Sequence, residues 1–239
     1  RYVDYGRIYE SRFDVLSKAK ERGWERDKQK VNAFIERNSR WLADYALFMA
    51  LKRHFGMKSW TEWEDEDIRL RKPAAMAKYR ELLREDIELF TYIQYLFFEQ
   101  WTKLKAYIND LGIGIIGDIP IYVAMDSADV WAEPEFFQLD EKNLPVEVSG
   151  VPPDDFSAEG QLWGNPLYDW DKMQSDGFGW WIRRIDGAGK MYDVIRIDHF
   201  RGLASYWAVP YGETTAKKGK WRTGPGIALV NALKGWFHN

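Results

Sequence analysis

Ile113-Gly114-Ile115-Ile116-Gly117-Asp118-Ile119-Pro120-Ile121-Tyr122-Val123 is β-branched, almost uncharged and punctuated by glycine. A run of this kind suits an inner parallel strand covered on both faces. Asp118 lies near its carboxyl end. Upstream, from Ala74 to about Asn109, the residues Leu82, Leu83, Ile87, Phe90, Ile93 and Leu96 begin a wide apolar helical face that Phe97, Trp101 and Leu104 continue. That is long for a globular helix, so the pattern allows a break within it. A long helix feeding a buried strand that ends in Asp is the αβ unit of a barrel or a doubly wound sheet. Both folds place their ligand sites at the carboxyl ends of strands.

A second strand of this kind lies downstream, in Tyr192-Asp193-Val194-Ile195-Arg196-Ile197-Asp198-His199-Phe200-Arg201-Gly202. Arg196 and Asp198 are two residues apart, so their side chains leave the strand on one face. A guanidinium beside a carboxylate favours the charged form of both. An oriented, ionised carboxylate at the mouth of a strand can serve as a nucleophile, a metal ligand or a substrate clamp. Asp198 can also be half of a purely structural ion pair. Asp118 can equally cap a turn or the next helix. His199 can equally be a satisfied, partly buried imidazole, since it follows the strand closely.

Outside these two strands the texture divides the chain. Residues 1 to about 110 read as helical, with Phe34, Trp41, Leu42, Tyr45, Phe48, Met49 and Lys52 at three- and four-residue steps. Gly56 suits a helix stop and Pro73 a first helical turn. From about 125 to 171 the chain is rich in Pro, Gly, Asp and Trp and lacks periodicity, which suggests an active-site insertion between two barrel-type units. A helix containing Trp180, Trp181, Ile182 and Ile185 then leads into the Asp198 strand. Gly219 to Gly226 reads as a loop, and Ile227 to Phe237 as the start of another helix. The chain opens at Arg1 without methionine and closes just past that pattern, as an internal piece of a longer protein would.

Composition narrows the chemistry. A net charge of −3 and a pI of about 5.8 give no basic excess for nucleic acid or an anionic membrane. Cysteine is absent, which excludes disulfides, thiolate catalysis and thiolate metal sites. No signal peptide and no membrane-length apolar run is visible, so the expectation is a soluble cytoplasmic protein. The 13 Trp, 13 Tyr and 13 Phe pack cores first, but rings also stack on sugar faces. His54, His199 and His238 are far apart in sequence, against a paired-histidine zinc site. Gly112, Gly114 and Gly117 lack the spacing of a dinucleotide fingerprint, and no phosphate loop or serine elbow occurs.

Five motifs carry a family resemblance: Ile115 to Val123, Asp126-Ser127-Ala128-Asp129-Val130-Trp131, Gly150 to Ser157, Gly160 to Tyr168, and Arg196 to Gly202. Together, and in this order, they resemble the 4-α-glucanotransferases, the amylomaltases or disproportionating enzymes of glycoside hydrolase family 77. The likeness runs over nearly the whole chain and is densest from Leu111 to Gly226. It implies an α/β fold, part of a (β/α)8 barrel of the α-amylase type. Residues 1–110 would form a mainly helical subdomain packed on it. Residues 111–239 would supply a partial barrel, with the insertion at 125–171 over the cleft. The implied activity is retaining transfer of α-1,4-glucan segments between maltooligosaccharides, or to glucose, without cofactor or metal. The partners would be maltooligosaccharides and starch- or glycogen-derived glucans.

The resemblance also assigns roles. Asp198 matches the nucleophile and Arg196 the arginine that holds it. Asp118, Tyr122 and His199 match sugar-contacting positions, and Asp154, Ser157, Trp163, Asn165 and Tyr168 match a loop folded over the cleft. The departure is the general acid and base. Retaining chemistry needs a second carboxyl group roughly 5 Å from the first, and in the family it lies on a later strand. After Asp198 only Glu213 remains, outside any such motif. Two other readings stay open: a non-catalytic glucan-binding module, and a metal-dependent hydrolase using Asp118, Asp198 and His199.

Overall fold

A computed structural model describes residues 2–237 of the chain. Two compact units divide it, one running to Leu104 and one from Lys105. The first is helical. Helix α1 (Tyr5–Arg37) starts where the Asp4 carboxylate accepts the Arg7 amide at 3.0 Å. Helix α2 (Leu42–His54) ends two residues before Gly56, whose φ of 66° is the left-handed stop expected there. A single turn, α3 (Glu66–Arg69), leads to α4 (Pro73–Leu82), with the proline at the first helical position.

The long helix expected from Ala74 is interrupted at Leu83, and α5 (Arg84–Asp110) follows. Glu85 and Asp86 sit in its first turn, where negative charge suits the helix dipole. Val31, Phe34, Leu42, Tyr92 and Tyr95 pack as one buried cluster of this unit.

The second unit carries the strands. In chain order they are β1 (Ile116–Ile119), β2 (Glu147–Val151), β3 (Gln161–Pro166), β4 (Val194–Ile197), β5 (Ser205–Pro210) and β6 (Lys220–Thr223). Its helices are α6 (Ala128–Ala132), α7 (Trp170–Ser175), α8 (Gly179–Met191) and α9 (Ile227–Phe237). β1 and β4 pair in parallel, with Asp118 opposite Arg196. At the opposite end of this pair, the Asp193 carboxylate accepts from Asn109 Nδ2 and the Ile115 amide, both at 2.8 Å, and from Lys105. That cluster draws the Asp193 carboxyl down to about 2, first through the Lys105 bond.

Four expectations need correction. The apolar run 113–123 yields a strand of only four residues, because Pro120 has no amide to donate to a ladder. Nor do the described residues cover that strand on both faces: among them Ile116 is 70 % exposed and its partner Val194 56 %. The stretch 125–171 is also more ordered than its composition suggests. It contributes β2 and β3 to a four-stranded antiparallel sheet of order β3-β2-β5-β6, and the supposed loop at Gly219 to Gly226 contains β6. Gly and Pro inside β3, and four exposed residues in β6, remove the alternation by which such strands are read.

Candidate active site

The β1–β4 register determines the centre of the site. Asp118 stands directly across from Arg196, and Asp198 follows two residues later, its amide donating to the Ile119 carbonyl at 2.9 Å. One guanidinium therefore reaches both carboxylates. Arg196 Nη1 donates to Asp118 Oδ2 at 2.5 Å and Nη2 to Asp198 Oδ1 at 2.9 Å. All three side chains are more than half exposed. Exposed ion pairs contribute at most about 1 kcal/mol each, so the fork orients two carboxylates more than it stabilises the fold.

His199 turns the chain out of β4 with φ 52°, a left-handed conformation costly for a non-glycine residue and concentrated at functional sites. Its imidazole meets the Trp163 ring edge-on at 4.8 Å. Desolvation, reinforced by Arg201 and opposed by Asp198, pulls its pKa down, so the neutral ring, with one donor and one acceptor nitrogen, is favoured. From Trp163 the aromatic contacts run to Tyr122, at 6.4 Å, and from Tyr122 to Tyr168, stacked at 5.7 Å. Asn165 is committed at both ends. Its Nδ2 donates to the Val123 carbonyl at 3.0 Å and its Oδ1 accepts from Ser149.

Asp118, Arg196 and Asp198 thus come together, with His199 and Trp163 beside them. Asp154 and Ser157 instead organise their own loop: Asp154 Oδ1 accepts the Phe156 and Ser157 amides, and Ser157 Oγ donates to the Gly160 carbonyl. That places Phe156 at the loop tip, 98 % exposed. Tyr168 is wholly buried and donates its hydroxyl to the Ile121 carbonyl at 2.7 Å. It supports Tyr122 from inside and offers a sugar nothing directly. Several tryptophans are likewise core; Trp60, Trp63, Trp131 and Trp181 are at most 1 % exposed.

One residue of this neighbourhood escaped the sequence reading. Arg184 of α8 bonds the Pro120 and Ile121 carbonyls just past β1. Its signal is the second of two adjacent arginines, three and four residues after Trp181 and Trp180 and so on the helix face those rings share. Among the described residues no cluster of three or more His, Asp or Glu has metal-binding geometry. No helix among them is long and apolar enough to cross a membrane.

A family model described as 4-alpha-glucanotransferase matches residues 1–239. The chain belongs to that family. Within it, the chain is 49 % identical over 233 residues to a 4-alpha-glucanotransferase of Clostridium butyricum, covering 97 % of this chain and 48 % of the relative. A Thermus thermophilus 4-alpha-glucanotransferase is 45 % identical over 239 residues, covering 98 % and 48 %. In structure the chain is similar to an amylomaltase from Streptococcus agalactiae solved in complex with acarbose. That match has a TM-score of 0.95 and 45 % identity, covering 99 % of this chain and 48 % of that one. The chain thus spans about half the length of these relatives.

Proposed function

We propose that this chain carries the nucleophile of a 4-α-glucanotransferase, transferring α-1,4-glucan segments between maltooligosaccharides, or to glucose, by retaining double displacement. The observation that carries the reading is the Arg196 fork, which aims Asp198 and Asp118 from adjacent parallel strand ends in a chain of this family. In this scheme Asp198 attacks the anomeric carbon and the leaving sugar departs with a proton. A covalent glycosyl ester remains, and the 4-hydroxyl of a second sugar resolves it. Arg196 holds the carboxylate on line without competing for the carbon. Asp118 and neutral His199 accept and donate to sugar hydroxyls, and Trp163 offers a half-open ring to a sugar face. Phe156, on the loop pinned by Asp154 and Ser157, is suited to cover a bound sugar and disfavour water as the acceptor.

Asp118 is not the general acid in this scheme. Its Oδ2 is taken up by the same guanidinium that holds Asp198, which suits it to orienting groups and not to delivering a proton. The proposal therefore places the acid and base outside these 239 residues and the β1–β4 pair within a larger barrel, in a cytoplasmic setting. These residues alone should release no glucose from maltotriose. The decisive experiment traps the ester in the complete protein with a mechanism-based glucosyl fluoride. Mass spectrometry should find the adduct on Asp198, and Asp198→Asn should abolish both adduct and transfer. An adduct elsewhere, or normal transfer by that variant, refutes the assignment. Glucan binding without any adduct would mark a binding module instead.

A further inference from the structure

We infer that Arg184 is a positioning residue for the glucan site, acting by clamping the chain that leaves β1. The inference rests on the reading of Asp198 as the attacking group. Strand β1 ends at Ile119, and the next residues abandon the ladder, so their carbonyls need other donors. The structure supplies one for nearly every position. Ile119 O accepts from the Asp198 amide at 2.9 Å. Pro120 O accepts from Arg184 Nη2 at 2.5 Å, and Ile121 O from Arg184 Nη1 at 3.0 Å and the Tyr168 hydroxyl at 2.7 Å. Val123 O accepts from Asn165 at 3.0 Å.

Arg184 is the centre of this arrangement. Its Nη1 also reaches the Tyr168 hydroxyl at 2.9 Å, closing a triangle of guanidinium, phenol and carbonyl. Trp180 and Trp181 present their rings to its Cζ at 5.5 and 5.1 Å, which restricts the side chain from its own helix. A planar fork with fixed donor directions is what two successive carbonyls require; an ammonium would meet one of them. Two consequences follow for the site. Pro120 lies two residues from Asp118, so the clamp sets where the strand end, and with it the Asp118 carboxylate, stands. Tyr122 is one residue beyond the clamp and stacks on Tyr168, so the wall next to Trp163 is set by the same node. Helix α8 meanwhile runs directly into β4, which carries Arg196 and Asp198. One helix thus holds both halves of the carboxylate pair in register.

The test uses Arg184→Ala, Arg184→Lys and Tyr168→Phe in the complete protein, with Asp198→Asn as control. Active sites are counted by glucosyl-fluoride labelling, so that loss of folded protein does not pass for loss of function. Per labelled site, kcat/KM for maltotriose should fall about tenfold or more in Arg184→Ala, since misplacement of about 1 Å can cost up to a hundredfold. Arg184→Lys should recover only part of the loss, and Tyr168→Phe should lose about threefold. A merely structural role would lower the melting temperature and the number of labelled sites, leaving kcat/KM per site at the wild-type value. That result overturns the inference while Asp198→Asn stays inactive. An active Asp198→Asn overturns the underlying reading instead. Should Arg184→Ala not fold, the other two variants decide: wild-type kcat/KM per site in both refutes the clamp.

Discussion

Gly117 is where a single methyl group tests the β1–β4 architecture most directly. A Cβ built on Gly117 would lie 2.0 Å from Tyr192 Cδ2, 2.2 Å from Cγ and 2.5 Å from Cε2. Carbon atoms in contact sit at about 3.5–4.0 Å, so the ring would have to retreat by roughly 1.5 Å. The obstacle is the body of the ring and not a flexible tip, and Tyr192 is tethered between α8 and β4. Relief must come from rotating the ring out of its place or from separating the two strands where Gly117 faces Ile195. Overpacking of this kind costs about 1–3 kcal/mol, and Gly117→Ala should lose that much in equilibrium urea unfolding. In a Tyr192→Ala background the same substitution has room, and its cost should fall below about 0.5 kcal/mol. The double variant should therefore be more stable than the sum of the two singles. Equal cost in both backgrounds, or a Gly117→Ala protein as stable as wild type, would refute the packing argument.

Arg196→Ala should change unfolding free energy by less than about 1 kcal/mol, because its partners are half exposed. In the complete protein, labelling of Asp198 should nonetheless slow by about a hundredfold, and comparing melting with labelling rates checks the contrast. For His199, burial lowers the folded pKa below the unfolded value of 6.5. Its contribution to stability is therefore complete above pH 6.5 and is lost as pH falls through the folded pKa. His199→Gln should flatten that part of the stability–pH curve, and an unchanged slope between pH 7.5 and 5.5 would contradict it. Asp193, held at about 2, stabilises the fold above its unfolded value of 3.8 and ceases to do so as pH falls through about 2. Asp193→Asn should remove part of the acid sensitivity between these values. An acid titration followed by circular dichroism would show it.

Local pattern made part of this molecule legible. Helices whose apolar residues recur at three and four steps, the Pro73 start and the Gly56 stop all stand where spacing placed them. So does the αβ unit that leads α5 to β1. The i, i+2 spacing of Arg196 and Asp198 was enough to put both on one face, and the structure joins them by one hydrogen bond. Each of these readings depends only on residues within a few positions of one another, where the backbone period dictates which side chains meet.

Partners distant in the chain were settled by the tertiary structure. Asp118 meets Arg196 across 78 residues, through a parallel register that no local pattern encodes. β3 and β6 carry no alternation and exist as strands because β2 and β5 offer them a ladder. Tyr168 is drawn into the core, and Arg184 is brought to the carbonyls of Pro120 and Ile121, by the packing of α8 against chain 63 and 64 residues away. Local spacing thus determined the helices and the charged pair, Arg196 and Asp198, at one strand end. Only folding decided which carboxylate shares that arginine and what holds it there, because hydrogen-bond pairing between remote segments depends on where the whole backbone runs.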